Sequence, residues 1–276
     1  MNYDSIVLAI VDIIKKSEIT LPCNLVDKLI ESEKNETNTL AKKQINAILT
    51  NIELAKAKQI PICQDTGILI FFVEIGQDFN LNFNIRDAIE DAVKLATKLV
   101  PLRPNAVEPL TRLNSGNNIG KGIPDIKYNF VDGDSLKITV APKGAGSENM
   151  SAIKMFNPTE VEQIKNFILE TVLNAGGMPC PPIVLGIGIG GSFDKAAALA
   201  KYALIEESFE LEEFGDNLLK QINNLGIGPM GLGGDTTALF VYTKTAYCHT
   251  ASLPVAVNIQ CWANRHESVI FKGGIK

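Results

Sequence analysis

Ile45, Ile48, Leu49 and Ile52 recur at the i, i+3, i+4, i+7 spacing of one helical face, with polar and charged residues filling the gaps. The spacing predicts a helix there, and similar patterning makes the first sixty residues a helical part. "LIFFVEI" (69–75) is too continuous for an exposed helix and reads as a buried strand. "NIRDAIEDAVKLATKLV" returns to the helical period, with Asn84 as N-cap and Ile89, Ala92, Val93 and Ala96 on one face. Residues 126–140, "IKYNFVDGDSLKITV", alternate on either side of Asp132-Gly133, which predicts a β-hairpin. "PTEVEQIKNFILETVLNAGG" reads as a helix, with Pro158 near its start and Gly176-Gly177 after its end.

A strand over "IVLGIGIGG", a helix from Ser192, a helix near 208–224 and two last strand-like runs complete the chain. In "VAVNIQC" the two-residue period puts Val255, Val257, Ile259 and Cys261 on one face. Helices, hairpin and strands do not alternate as β-α-β-α, so the expected class is α+β. The expected organisation is a single domain over 1–276, with a helical part of about 1–100 and a mixed α/β part of about 101–276. No repeat or low-complexity linker interrupts it.

Composition adds mainly exclusions. The formal net charge is −5 and no basic block offsets it, which argues against a general nucleic-acid binder. The start, "MNYDSIVLAIVDIIKK", lacks a basic n-region and its apolar run is broken by Asp12, so it is not a signal peptide. No apolar run approaches the ~20 residues that cross a bilayer. A cytoplasmic protein is expected. Five cysteines, at 23, 63, 180, 248 and 261, are an odd number and widely spread, which suits reduced thiols or metal ligands better than a disulfide framework.

Polar chemistry gathers in the loops. "NSGNNIGKG", "PKGAGSEN", "GIGIGGSFDKAA" and "GIGPMGLGGDTTA" are glycine-rich, so each is either a tight turn or a place where backbone N–H groups converge on an anion. "GIGIGGSF" misses the G-x-G-x-x-G spacing, and no G-x-x-x-x-G-K-[ST] occurs, so nucleotide binding is disfavoured. "PICQDTG" crowds a thiol, an amide, a carboxyl and a hydroxyl at the mouth of the first strand. Cys180 stands between prolines in "GGMPCPP", which fix its backbone, and Cys261 lies in "NIQCWANR". Scattered cysteines are commonly small buried hydrophobes, and Cys23 and Cys248 are read so. No C-x-x-C pair favours zinc. Three isolated thiols at loop junctions better suit an iron–sulfur cluster with one iron left open.

Eight segments together, "PICQDTG", "LRPNAV", "NSGNN", "KGAGSEN", "GGMPCPP", "GIGIGGSFDKAA", "GLGGDTTA" and "CHTASLPVAVNIQCWANR", resemble the class I, iron–sulfur-dependent fumarate hydratases. The likeness is strongest to the separate α subunits of the two-subunit fumarate hydratase and L(+)-tartrate dehydratase group, and it covers about residues 40–265. The resemblance implies a 4Fe–4S cluster on Cys63, Cys180 and Cys261, with a fourth iron open to substrate. It implies Asp65 as the acid, and Gln64, His249, Arg103 and Gly146 as substrate contacts. His266 is expected to be a packed residue and Thr66 a turn cap. Asn264 and Arg265 are left open between holding the loop around the cluster and a plain structural role.

The chemistry agrees with those assignments. An open iron acts as a Lewis acid on a leaving hydroxyl. Asp65 can protonate that hydroxyl, while amide, imidazole and guanidinium groups bind carboxylates. The family's base, and further cationic residues, come from a C-terminal domain, and this chain stops ten residues after "CWANRH". The expectation is therefore an α subunit, inactive alone, working in a hetro-oligomer with a separate β subunit on a small dicarboxylate. Malate to fumarate is the first expected reaction and tartrate to oxaloacetate the alternative. A non-catalytic iron–sulfur regulatory subunit is a further alternative, though a sensor would not need Gln64, Asp65 and His249 beside its cluster.

Overall fold

A computed structural model of the chain describes residues 2–273. In chain order the elements are α1 (Tyr3–Ile19), α2 (Cys23–Asn35), α3 (Thr39–Lys58), β1 (Ile68–Gly76), α4 (Ile85–Leu99), β2 (Asp125–Val131), β3 (Ser135–Lys143) and α5 (Ala145–Glu148). Then follow β4 (Ala152–Phe156), α6 (Ile164–Ala175), β5 (Ile183–Ile189), α7 (Phe193–Glu206), α8 (Glu212–Asn223), β6 (Ala238–Thr245), β7 (Leu253–Gln260) and β8 (Glu267–Lys272). The class is α+β, as the patterning predicts. Among the described residues no helix is long and apolar enough to cross a membrane.

Contacts divide the chain into two units that interleave along the sequence. One holds the N-terminal segment to Leu21, Asn51–Gly144 and the C-terminal segment from Arg265; the other holds Pro22–Thr50 and Ala145–Asn264. In the first unit a four-stranded sheet runs in the order β2-β1-β3-β8. Its core joins Leu69, Phe71 and Val73 of β1 and Leu136, Ile138 and Val140 of β3 to Ile6, Ile10 and Ile14 of α1 and Ile89, Ala92 and Val93 of α4. Phe71 is wholly buried, and such a side chain contributes roughly 1.5–3 kcal/mol by leaving water. Asn84 caps α4 as expected, its Oδ1 accepting from the N–H groups of Arg86 at 3.0 Å and Asp87 at 3.4 Å.

The expected hairpin does not form. Its two strands and its turn are present, but β1 lies between them, parallel to β2 and antiparallel to β3. The Asp132-Gly133 turn carries the chain over the end of β1 instead. Asp78 N–H donates to the Gly133 carbonyl at 3.0 Å, and a Cβ on Gly76 would lie 2.3 Å from that oxygen. The alternating pattern identifies two strands and a turn between them, and it is the same whether the strands touch or straddle a third.

In the second unit the sheet order is β4-β7-β5-β6, with β5 and β6 parallel and β7 antiparallel to its neighbours β4 and β5. Ile168 and Val172 of α6 and Leu218 and Ile222 of α8 pack with Leu185 and Ile187 of β5 and Val255, Val257 and Ile259 of β7. The opposite face takes α7 at unusually close range. A Cβ on Gly186 would fall 2.0 Å from the Ala200 carbonyl, and one on Gly188 would fall 2.1 Å from that of Ala196. Gly186 and Gly188 of "GIGIGG" thus serve strand–helix packing. Two details differ from expectation. Residues 158–163 form a 3-10 turn before α6, and three strands rather than two end the chain, β8 pairing with β3.

Candidate functional site

In the first unit "PICQDTG" is a turn feeding β1. Cys63 and Asp65 are half-buried and Gln64 is exposed. Asp65 Oδ1 accepts from Gly67 N–H at 2.9 Å, and Asp65 N–H is directed at Cys63 Sγ at 3.4 Å. Gly67 adopts φ +70°, and a Cβ there would sit 2.7 Å from the Lys143 backbone, so only glycine ends this turn without strain. Thr66 is buried and does more than cap. Its Oγ1 accepts from Arg103 N–H at 3.0 Å, and the Asn105 side chain donates to the Gly67 carbonyl at 2.9 Å. Asn118 completes the brace, donating from Nδ2 to the Arg103 carbonyl at 3.0 Å and accepting Asn105 N–H at 2.7 Å. The structure thereby sets Arg103, whose residue is exposed, beside the turn that carries Cys63, Gln64 and Asp65.

Below this turn Glu18, which no sequence motif marks, pairs with Arg265, one of the two residues left open between holding the loop and a plain structural role. Glu18 and Arg265 are 0% and 2% exposed, with Arg265 Nη1 2.5 Å from Glu18 Oε2. Burial pushes the Glu18 carboxyl up to about 7; Arg265 holds it down and Asp65 pushes it up further. Between the ordinary glutamate value of 4.5 and about 7, the folded chain retains a proton that the unfolded chain has lost. Stability from this group is therefore full below about pH 4.5, and it is lost as pH rises through about 7. The expected contribution is at most ~3 kcal/mol. Urea midpoints of the apo chain should fall between pH 5 and pH 8, and Glu18→Gln should flatten that fall. Parallel slopes for the two proteins would assign the titration to another group.

In the second unit the backbone brings Cys180 and Cys261 together. Trp262 N–H, one residue past Cys261, donates to the Cys180 carbonyl at 3.4 Å. Cys180 is exposed and adopts φ +56° between its two prolines. A non-glycine residue in that region costs about 1–2 kcal/mol, and such strain gathers at functional positions. Cys261 is half-buried at the end of β7. Gly146 lies in the short α5, where an added Cβ would make only ordinary contact, 3.5 Å from the Met178 carbonyl. Ser147, beside it, donates to Gln260 Oε1 at 3.3 Å. His249 is exposed in the loop between β6 and β7, and its Nδ1 accepts Ala251 N–H at 3.0 Å. A neutral ring so held carries its proton on Nε2, which suits it to donate to a carboxylate.

None of the five cysteines forms a disulfide. Cys23 and Cys248 are exposed, which overturns their reading as buried small hydrophobes: Cys23 opens α2 and Cys248 lies in the loop of His249. The Cys63, Cys180 and Cys261 set fits an iron–sulfur group by its chemistry. All three are thiols at turns or strand ends, two are half-buried, and one has a backbone N–H on its sulfur, an arrangement that tunes cluster thiolates. Among the described residues no three His, Cys, Asp or Glu side chains gather around one ion. Cluster thiolates bind different irons, so single-ion spacing is not what they require. One glycine-rich loop does converge on an anion, but the anion is internal. The Glu36 carboxylate accepts N–H groups from Asp235 at 3.0 Å and Thr236 at 3.2 Å.

The family described as fumarate hydratase (fumerase) matches residues 7–270. A putative L(+)-tartrate dehydratase subunit alpha of Methanocaldococcus jannaschii is 48% identical over 267 residues, 93% of this chain and 94% of that protein. The L(+)-tartrate dehydratase subunit alpha of Escherichia coli O157:H7 is 33% identical over 261 residues, 91% of this chain and 85% of that protein.

Proposed function

This chain belongs to the fumarate hydratase family, and we propose that it is the α subunit of an iron–sulfur hydro-lyase that reversibly dehydrates a 2-hydroxy dicarboxylate, malate to fumarate first. The family match over residues 7–270 carries this reading. Cys63, Cys180 and Cys261 would hold a 4Fe–4S cluster. When bound, its open iron supplies a Lewis acid for the departing hydroxyl.

The chain's own residues do the rest. Gln64 and the Nε2–H of His249 donate to carboxylate oxygens, Arg103 clamps a carboxylate through its planar fork, and Gly146 offers a backbone contact. Asp65 gives the leaving hydroxyl its proton, so that water departs. The C2–O bond breaks with its electron pair on oxygen. A base removes the C3 proton, and the C–H electrons become the C2=C3 bond. As the family resemblance implies, the base would come from a separate β subunit. Names of the relatives, each an alpha subunit, support such a partner.

Tartrate is the second reading, favoured by those same printed names. Malate and tartrate differ by one hydroxyl, and the residues above recognise what the two share. Anaerobic assays of the chain reconstituted with its partner, comparing kcat/KM for malate and L(+)-tartrate, decide between them. The chain alone is expected to run at least ~10²-fold below the pair, the usual contribution of a positioned base. Equal rates with and without the partner would refute the division of labour.

A further inference from the structure

Glu18 and Arg265 grip the catalytic turn from both ends. Glu18 ends α1, and its carbonyl accepts Ile62 N–H at 2.8 Å, one residue before Cys63. Its carboxylate holds Arg265 Nη1, while Nη2 of the same guanidinium donates to the Asp65 carbonyl at 3.0 Å. Both residues are buried, and Glu18 Oε1 and Arg265 Nε have no hydrogen-bond partner. Desolvating two charges with incomplete satisfaction is a poor route to stability, and well-packed apolar residues commonly match or exceed such a pair. What an apolar pair could not do is fasten the Asp65 carbonyl, through a guanidinium that Glu18 orients, to the helix whose main-chain carbonyl holds Ile62.

We infer that the Glu18–Arg265 pair is a positioning device that fixes the Ile62–Asp65 backbone, so that the Cys63 thiol and the Asp65 carboxyl are presented in one arrangement. The grip itself is a property of the apo chain; only its purpose rests on the proposed function. Gly67 N–H and Thr66 Oγ1 restrain the far side of the same turn, and on the Cys63 side Asn51 Nδ2 donates to the Ile62 carbonyl at 2.8 Å.

The test is Glu18→Gln/Arg265→Met, which removes both charges together and so avoids stranding one of them in the core. Iodoacetamide alkylation of the full-length apo chain, read at each cysteine by peptide mass spectrometry, should rise several-fold at Cys63. It should stay unchanged at Cys180 and Cys261, with the melting temperature close to that of the native chain. If the double variant does not fold, Arg265→Lys carries the same comparison, because it keeps a cation beside Glu18 and loses the fork whose second nitrogen reaches the Asp65 carbonyl. Unchanged Cys63 reactivity, or an equal rise at all cysteines, would overturn the inference, the latter reducing the pair to a general stabiliser. In the reconstituted enzyme, kcat should fall while KM and iron content hold, and an unaltered kcat also counts against positioning. A wild-type chain that takes up no iron would sink the proposed function and leave the alkylation result standing.

Discussion

Serine at Cys63, at Cys180 or at Cys261 is expected to abolish the cluster, taking about four irons and four sulfides per chain after anaerobic reconstitution to near none. The expectation is sharp because, on the proposed assignment, the fourth iron would be kept for substrate, and each thiolate would then be one of three anchors with none redundant. A serine hydroxyl is a harder and far less acidic ligand than a thiol. Cys23→Ser and Cys248→Ser are the internal controls: both residues are exposed, Cys23 opens a helix and neither is among the assigned ligands. Iron and acid-labile sulfide assays with visible absorption decide the matter. Retained cluster in any of the three variants would strike that residue from the ligand set, and lost cluster in a control would add one.

The helices were legible because each carries its own evidence. Asn84 sits one residue before α4, its side chain bonds the first-turn N–H groups, and the apolar stripe behind it is fully buried. Those are local signals, set within a few residues of one another. The straddling of β1 by β2 and β3 is not local. Nothing in Asp132-Gly133 says what the turn crosses, and the clue lay nearly sixty residues upstream in Gly76, where a side chain would collide with the crossing backbone.

The site divides in the same way. Crowding in the sequence singles out Cys63, Gln64 and Asp65 as candidates, and flanking prolines single out Cys180. Thr66 was undervalued because its hydroxyl works on a segment thirty-seven residues away, at Arg103. Glu18 was passed over entirely. In sequence it is one polar residue in an amphipathic helix, and only burial and an arginine from the far end of the chain give it a role. The glycine-rich loop near 234 fits both a tight turn and an anion cradle, and the sequence does not say that the anion is Glu36, far earlier in the chain.

Replacing Asp65 by Asn is expected to lower kcat about 10²–10⁴-fold, the range for loss of a positioned proton donor, with cluster content unchanged. The substitution is clean for a structural reason. Asp65 Oδ1 accepts from Gly67 N–H at 2.9 Å, and Asp65 N–H and carbonyl engage Cys63 Sγ and Arg265. An asparagine keeps the accepting oxygen and both backbone contacts, so the turn that presents Cys63 is preserved. The carboxyl that carries and releases a proton is replaced by an amide that cannot. The absence of a side chain at Gly144 leaves space beside Oδ2, where an added Cβ would come within 3.1 Å, and an amide nitrogen is near in size to the oxygen it replaces. Steady-state rates on malate and fumarate, beside iron content, separate the outcomes. Lower kcat with intact cluster assigns the proton to Asp65. Lower kcat with lost cluster means that the turn was disturbed after all, and an unchanged kcat moves the acid to another group.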